Sequence, residues 1–511
     1  MKKGYKYVSL ILVALLLLIS AVSCKSPESG SITNTGTGNT ENASANGQQG
    51  DSSSAPTKEK EITVNDIIAA LPDADYGGYE FRIWTSNRFN TTLEARQTPE
   101  LNDAGEIYET GDPVNDALYR RDRLVEEKYN IKIKYSIYAE AGPVYNAAKK
   151  SIAAGDDSFD YAMDKMMDLT KPLAQAGQLV DFNTIPNIDL SKEWWSKYAI
   201  RDLTINGKFY FPTGDITARY PGSQYLMLFN KKLMSDMGID YPYKTVIDGN
   251  WTYDALFNIT KGVTKDLNGD GVLKKNDDLF GLVVETMAPL CFLRAAGEGL
   301  TKIVDGNPVF NVKNERTVEI MGKLASVWAD PQYVYYPSSY QVYDEVPIFK
   351  EDRALFVAMT GTNTSLYRDM ESDFGIVPLP KYDTNQTEYY SHCQPWGSAG
   401  VCVPVTCKDL ERTGMIIEAM AAGGRYTSTP AAYDVTLKTK YARDEESAKM
   451  LDIITSGSAY DFTQIYDWGS IYSLLCSTIA KGESFTSKFE SIEGKAQAAM
   501  DKTIAAFEGI Q

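Results

Sequence analysis

The chain of 511 residues carries 51 lysines and arginines against 68 aspartates and glutamates, a formal net charge of −17, which argues against nucleic acid or an anionic membrane surface as partner. Its 43% hydrophobic and 23% charged residues are ordinary for a globular body, and the chain is long enough for two large lobes. A single histidine, His392, excludes multi-histidine zinc sites and leaves any Ser-His-Asp triad resting on one residue, while six cysteines are too few to scaffold a fold of this size.

The first elements are an address and a tether. Lys2, Lys3 and Lys6 precede a nearly unbroken apolar run over 8–19, followed by Ala21, Val22 and Ser23. A positive start, a short apolar run and small residues before a cut site are the pattern of an export signal. The run is shorter than the about 20 apolar residues of a comfortable membrane span. Cys24 directly after the small residues resembles the lipobox of bacterial lipoproteins, with Ala21 standing where leucine is usual. The resemblance implies that residues 1–23 are removed and that a lipid is attached to Cys24. Residues 24–61 hold hardly an apolar side chain and cannot offset their ordering entropy by burial, so a flexible tether is expected there.

The folded part opens near Thr63 with a helix over 64–71, and 79–84 alternates as a strand, with Phe81 and Ile83 on one side and Glu80 and Arg82 on the other. A helix follows over 113–129, a strand over 131–135, a helix over 144–153 and a strand over 159–163. This is the βαβ pattern of a parallel sheet, in which ligands sit beyond the carboxyl ends of the strands. Trp84, Ser86, Asn87 and Arg88 after the first strand, and Asp164 after the third, become candidate ligand-binding residues. Trp194 and Trp195 lie in an irregular segment. Such a pair is either a sugar platform or a plug over a lobe; Trp195 reads as the plug and Trp194 stays open.

Four stretches further on carry a family pattern. They are Asn206-Gly207-Lys208-Phe209-Tyr210-Phe211-Pro212, the run 225–237 closed by Gly238, Asn250-Trp251-Thr252-Tyr253 opening a helix that Thr252 would cap, and Phe374-Gly375-Ile376-Val377-Pro378-Leu379-Pro380 followed by Tyr382. In order and spacing they resemble the bacterial extracellular solute-binding proteins of family 1, the sugar type, and the resemblance runs from about Tyr79 to the C-terminus. It implies an α/β, two-lobed periplasmic-binding-protein-like fold (type II, Venus-flytrap) with hinge crossings. Lobe 1 is expected from 62–212 and 346–408, and lobe 2 from 213–345 and 409–511. The resemblance also implies a monomeric, non-catalytic lipoprotein on the outer face of the cell membrane, passing a carbohydrate to an ABC permease. In this frame Asp215 follows the first passage between lobes, Trp396 stands near the second, and Trp468 occupies the place of a ligand-stacking ring. Asn363 ends the strand predicted over 354–359.

The most specific local motif is Asp266-Leu267-Asn268-Gly269-Asp270-Gly271. Oxygen ligands at positions one, three and five, with glycine at six, match a calcium loop; Val272 would add its carbonyl and Asp277 would stand where glutamate is usual. One structural calcium ion is expected, the alternative being a metal-free Asx turn. Helices are predicted over 315–328, 410–422, 445–454, 471–481 and 488–507, with a tyrosine-rich loop over 333–343. One disulfide could involve Cys402 with Cys407 or Cys393. The 33 tyrosines and 7 tryptophans favour a sugar ligand, since rings stack on the apolar faces of sugars, although most must be core. A secreted glycoside hydrolase with two working carboxylates, or a surface lectin without a transporter, are the alternatives.

Overall fold

The structure, a computed structural model, describes residues 62–87, 96–217, 222–337, 344–433 and 443–509. The signal segment, Cys24, the tether and Arg88 lie outside these residues. In chain order the first elements are α1 (Val64–Ala70), β1 (Tyr79–Ser86), α2 (Pro113–Tyr129), β2 (Ile131–Tyr138), α3 (Ala141–Ala153) and β3 (Tyr161–Lys165). Helix α2 shows why the pattern was readable. Asp112 caps it by accepting from the amides of Val114 and Asn115, Pro113 opens it, and Asn130 closes it in the left-handed region at φ 48°. Strands β2 and β3 both pair parallel with β1, as the βαβ pattern requires.

Next come α4 (Lys171–Gln175), α5 (Lys197–Leu203), and the hairpin of β4 (Thr204–Ile205) and β5 (Lys208–Phe209). Asn206 and Gly207 turn that hairpin at φ 50° and 71°, a primed turn that these two residue types tolerate. The chain then builds β6 (Tyr225–Asn230), α6 (Lys231–Met237), α7 (Tyr243–Ile247), α8 (Tyr253–Thr260), β7 (Phe280–Val284), α9 (Ala288–Ala295), β8 (Thr301–Val304), β9 (Asn307–Phe310), α10 (Glu315–Trp328), β10 (Val334–Tyr335), α11 (Glu345–Lys350), β11 (Ala354–Thr360) and β12 (Phe374–Val377). Thr252 caps α8 as expected, accepting from the Ala255 amide. The return comprises β13 (Ser391–His392), β14 (Ala399–Cys402), α12 (Leu410–Tyr426), α13 (Ser428–Pro430), α14 (Glu445–Ser456), β15 (Ser458–Ala459), α15 (Phe462–Tyr466), α16 (Ile471–Ile479), α17 (Phe485–Glu490) and α18 (Glu493–Glu508).

Two sheets result. The first has the order β14-β3-β1-β2, with β14 alone antiparallel. The second has the order β10-β7-β11-β6-β12, with β6 antiparallel to both its neighbours. This corrects the expected lobe boundaries. Every residue of β11 is buried, and the strand is an interior strand of the second sheet, hydrogen-bonded between β7 and β6. Residues 346–380 therefore belong with the second lobe, not the first. Conversely, α12 packs on α1 and α2, and α18 on α4, so parts of 409–511 complete the first lobe. The lobes join where the crossing segments meet: Gln224 bridges to Cys393, the Gln394 amide donates to the Ser223 carbonyl at 3.1 Å, and β13 pairs with β15.

The possible disulfide is not formed among the described cysteines. Cys291, Cys393, Cys402, Cys407 and Cys476 are all free thiols, and the Cys407 sulfur lies 3.2 Å from the Thr413 hydroxyl instead. Among the described residues no helix is long and apolar enough to cross a membrane.

Candidate functional site

The polar edges of the two sheets both reach the crossing segments. In the first sheet β1 and β3 end at Ser86 and Lys165, and β14 begins opposite, Ala399 against Lys165. In the second, β7 and β11 end at Val284 and Thr360, and β6 begins opposite, Tyr225 against Thr360. The Gly361 amide donates to the Gln224 carbonyl at 2.8 Å, and Gln394 Nε2 donates to Met287 Sδ at 2.7 Å. The carboxyl ends of the parallel strands thus flank the hinge, where an open α/β sheet takes its ligand.

On the first lobe, Ser86 and Asp164 are buried. One Asp164 oxygen accepts from the Lys165 amide at 2.7 Å. Its Oδ2 and the Ser86 and Ser398 hydroxyls are buried, with Ser86 set against the carboxyl. Burial pushes the Asp164 carboxyl above its ordinary range, against the pull of the Lys165 amide and the adjacent Ser86. Lys165 extends over the Trp396 ring, 6.0 Å from its centroid, and stands 3.7 Å from Asp168. Trp396 keeps 39% of its surface exposed, unusual for a tryptophan beside a strand end. Lys171 reaches over the Tyr466 ring at 5.8 Å; burial lowers its pKa, opposed by the charges of Asp467 and Asp168.

On the second lobe, Asn363 Nδ2 donates to Glu285 Oε1 at 3.1 Å, joining the ends of β11 and β7. Glu285 keeps some residue surface at solvent, but its carboxyl is enclosed. That enclosure, with the charge of nearby Glu345, pushes it up to about 8. Glu345 is itself pushed up to about 7, mainly by burial.

No protein-family model matches the sequence, and no curated protein does. Solved structures match over most of the chain. An ABC substrate-binding protein of Listeria monocytogenes in complex with cycloalternan aligns with a TM-score of 0.51 at 14% identity, over 83% of this chain and 99% of that one. The extracellular solute-binding protein of Staphylococcus aureus in complex with maltose aligns with 0.51 at 12% identity, over 84% and 98%. A cyclo/maltodextrin-binding protein complexed with maltotetraose aligns with 0.52 at 15%, over 84% and 96%. The chain has the two-lobed fold of the ABC substrate-binding proteins.

Within this substrate-binding fold the sequence candidates divide. Ser86, Asp164, Asn363 and Trp396 come to the strand ends and the hinge, and Asn87 is exposed beside Ser86. Trp84 is held among rings of its own lobe, stacked on Phe159 at 4.5 Å and edge-on to Tyr138 at 5.7 Å. Trp468 does not face the cleft. The turn at Asp467 (φ 42°) and Gly469 (φ 65°) sends it inward, flat against Tyr466 at 5.3 Å, with its indole nitrogen donating to Thr503 on α18 at 2.9 Å. Asp215 is held by Thr429 and Arg425. Burial lifts its carboxyl to about 6, the Thr429 hydroxyl donates to it at 2.7 Å, and it borders a separate cavity of about 610 Å³ with Trp194, Tyr198 and Arg425. Trp194 and Trp195 both plug the first lobe, donating to the two oxygens of Glu418 at 3.0 and 2.9 Å.

The side-chain oxygens of the 266–277 loop are turned onto its own backbone amides. Asp266 accepts from the amides of Gly269 and Gly271, each at 2.7 Å, Asn268 from Asp270, and Asp270 from Val272. The Lys274 ammonium sits on Asp270, and Asp277 is exposed outside the turn. The buried carboxylate is Asp278, which braces the amides of Leu267 and Lys274. Among the described residues no three His, Cys, Asp or Glu side chains come together as a metal site.

Sequence reasoning missed Asp168, Lys171, Glu285 and Ser398. For Glu285 a signal existed: it is the charged residue that directly follows the apolar strand β7. His392 belongs to the hinge core. It is buried against Gln464 (Nε2 to Oε1 2.7 Å), and burial lowers its pKa to about 4.

Proposed function

We propose that this chain is the extracellular solute-binding component of an ABC importer, taking a carbohydrate, most fittingly an oligosaccharide, between its lobes. One observation carries the reading. The polar groups of Ser86, Asp164 and Ser398 stand at the strand ends of the lobe that also presents the exposed ring of Trp396. A sugar offers hydroxyls to the first and an apolar face to the second, and a wrong ligand would leave the buried groups unpaired. The maltotetraose, cycloalternan and maltose held by the structural neighbours support the same class.

The chemistry is binding without reaction. Ligand contacts to Asp164, Lys165 and Trp396 on one side and to Asn363 and Glu285 on the other hold the lobes together by hinge closure. Closure expels water and strengthens each polar contact. Cys24, lipidated and linked through 25–61, keeps the trap at the outer face of the cell membrane, where a permease collects the solute. The 266–277 loop is read as a calcium staple: Asp266, Asn268, Asp270 and the Val272 carbonyl would hold the ion, which would compete with Lys274 for Asp270 and tie the loop together. Calcium then raises Tm, and Asp266→Ala removes the rise; with no rise, the loop is a metal-free turn whose internal cation is Lys274.

Titration calorimetry with a panel of oligosaccharides tests the main reading. Binding to one class at about micromolar Kd or tighter, with no product after long incubation, is expected. Turnover, or no binding across the panel, overturns it. Cys24→Ala should release a protein that still binds its ligand but supports uptake poorly.

A further inference from the structure

The two lobes also meet on the side of the hinge away from the cleft. Helix α5 and the β4–β5 hairpin belong to the core of the first lobe through Ala199, Leu203 and Ile205, and α9 belongs to that of the second through Leu290 and Leu293. Between them Arg294 of α9 stands 3.5 Å from Asp202 of α5, with side chains only 13% and 14% exposed. A pair shielded to this degree is screened less than one on the open surface. Asp202 is fixed from behind: Arg201 donates to its two oxygens at 2.6 and 2.8 Å, and the Tyr460 amide, directly after β15, donates to it at 2.8 Å. A few residues on, the turn of one hairpin meets the turn of another. Asn206 and Gly207 close β4–β5, Asp305 and Gly306 close β8–β9, all at positive φ, and the Asn206 amide donates to the Gly306 carbonyl at 2.7 Å.

Topology places this contact opposite the cleft. Strand β14 starts at the cleft end, Ala399 against Lys165, and runs away from it to Cys402 against Ala162. Just beyond, the Val180 amide donates to the Val403 carbonyl at 2.9 Å. The neighbouring Asp181 and Asn183 hold the β4–β5 hairpin there, through the Phe209 amide at 3.0 Å and the Gly207 carbonyl at 2.9 Å. In the second lobe α9 starts beside Met287 at the hinge, and at about 1.5 Å per residue Arg294 lies about 10 Å further along its axis. Helix α5 packs on β15 and α9 on β13, so the two paired hinge strands form a pivot beneath the contact.

Bodies that turn about such a pivot close on one side by opening on the other. Groups that touch behind the pivot are pulled apart as the cleft narrows, so the bonds they make stabilise the open arrangement over the closed one. We propose that the Asp202–Arg294 pair and the Asn206–Gly306 hydrogen bond form a clasp that holds the cleft open at rest and thereby sets ligand affinity from behind the hinge. The proposal rests on the reading of the cleft as a hinged solute trap. Ligand binding must supply the free energy of opening the clasp, and the apparent affinity is reduced by the fraction of molecules that close unaided. A weaker clasp therefore gives a tighter binder.

Asp202→Asn and Arg294→Met each remove the ion pair, and Arg294→Lys keeps it. Small-angle scattering of the ligand-free protein, with titration calorimetry against the oligosaccharide that binds the wild type, tests the clasp. The two charge-removing variants should show a smaller ligand-free radius of gyration than wild type, the same radius once liganded, and a Kd about three- to tenfold lower. Arg294→Lys should match wild type in all three. Cooperative thermal unfolding verifies that each variant is folded, and either charge-removing variant alone decides the matter. The proposal is overturned if the folded charge-removing variants keep the wild-type ligand-free radius, if they bind more weakly than wild type, or if Arg294→Lys tightens binding as much as Arg294→Met. Should the wild type bind no oligosaccharide, the solute reading fails, while the ligand-free radii still decide the clasp.

Discussion

Two tryptophans that look alike in sequence have opposite fates. Trp396 stays 39% exposed over the hinge, and Trp468 is 3% exposed against Tyr466 and α18. Trp396→Ala should leave unfolding free energy within about 0.5 kcal/mol of wild type, yet weaken ligand by at least about tenfold in calorimetry. Trp468→Ala should cost about 3–5 kcal/mol in denaturant unfolding, the loss expected for a buried ring. What was legible at this scale followed from topology: Ser86 and Asp164 end parallel strands, and strand ends can be counted. What was not legible is where a turn aims a ring, because the positive φ at Asp467 and the acceptor on α18 are supplied by the fold. The buried carboxyls also predict a pH response. Glu285, Glu345 and Glu418 are pushed up to about 8, 7 and 7, from an ordinary value of 4.5, chiefly by burial. The folded state then holds protons that the unfolded chain has released, so the stability they contribute is present in acid and lost as pH rises through 7 to 8. His392 works in the other direction, lowered to about 4 from 6.5, but its effect is complete above about 6.5. Between pH of about 6.5 and 8.5 the Tm should therefore fall, and fall less in a Glu285→Gln, Glu345→Gln double variant. A flat or rising wild-type Tm over that range would refute the burial of these acids.

At the scale of elements, α12 shows how a pattern can be read and its purpose missed. The amphipathic run was expected over 410–422, and the helix extends from Leu410 to Tyr426. Its glycines cost helix propensity but permit close approach. A Cβ at Gly414 would lie 1.9 Å from the Pro186 carbonyl oxygen, and one at Gly424 1.9 Å from that of Asp215. Between them Glu418 ties down Trp194 and Trp195, so the helix docks through contacts that no local pattern announces. Gly424→Ala should lower stability by at least about 2 kcal/mol through overpacking. Gly322→Ala makes the control: it lies within α10, nothing stands within 4 Å of its missing Cβ, and it should gain about 0.5–1 kcal/mol. Thermal unfolding of the pair checks both signs.

At the scale of the molecule, the two-lobed organisation was legible because the ordered motifs carry it, whereas the lobe boundaries were not. Strand β11 reads as buried in any context; only pairing with β6, more than a hundred residues earlier, assigns it to the second sheet. The hinge makes a prediction at the same scale. Small-angle scattering should show a smaller radius of gyration once an oligosaccharide is bound, and an unchanged envelope would separate this chain from the closing traps.

Neither lobe is drawn from one continuous run of sequence, and this bears on when the protein can fold. The sheet begun at Tyr79 waits for β14, and the ring of Tyr210 waits for Phe507 on α18, 5.0 Å away at the far end of the chain. Contacts of such sequence separation form slowly. A chain emerging N-terminus first stays unfinished, and hence threadable through a narrow pore, until its last helix is out. For a protein whose opening residues read as an export signal, that delay is a kinetic asset. Ending the chain before Glu493 should leave a form that is still protease-sensitive when the full-length protein has become resistant.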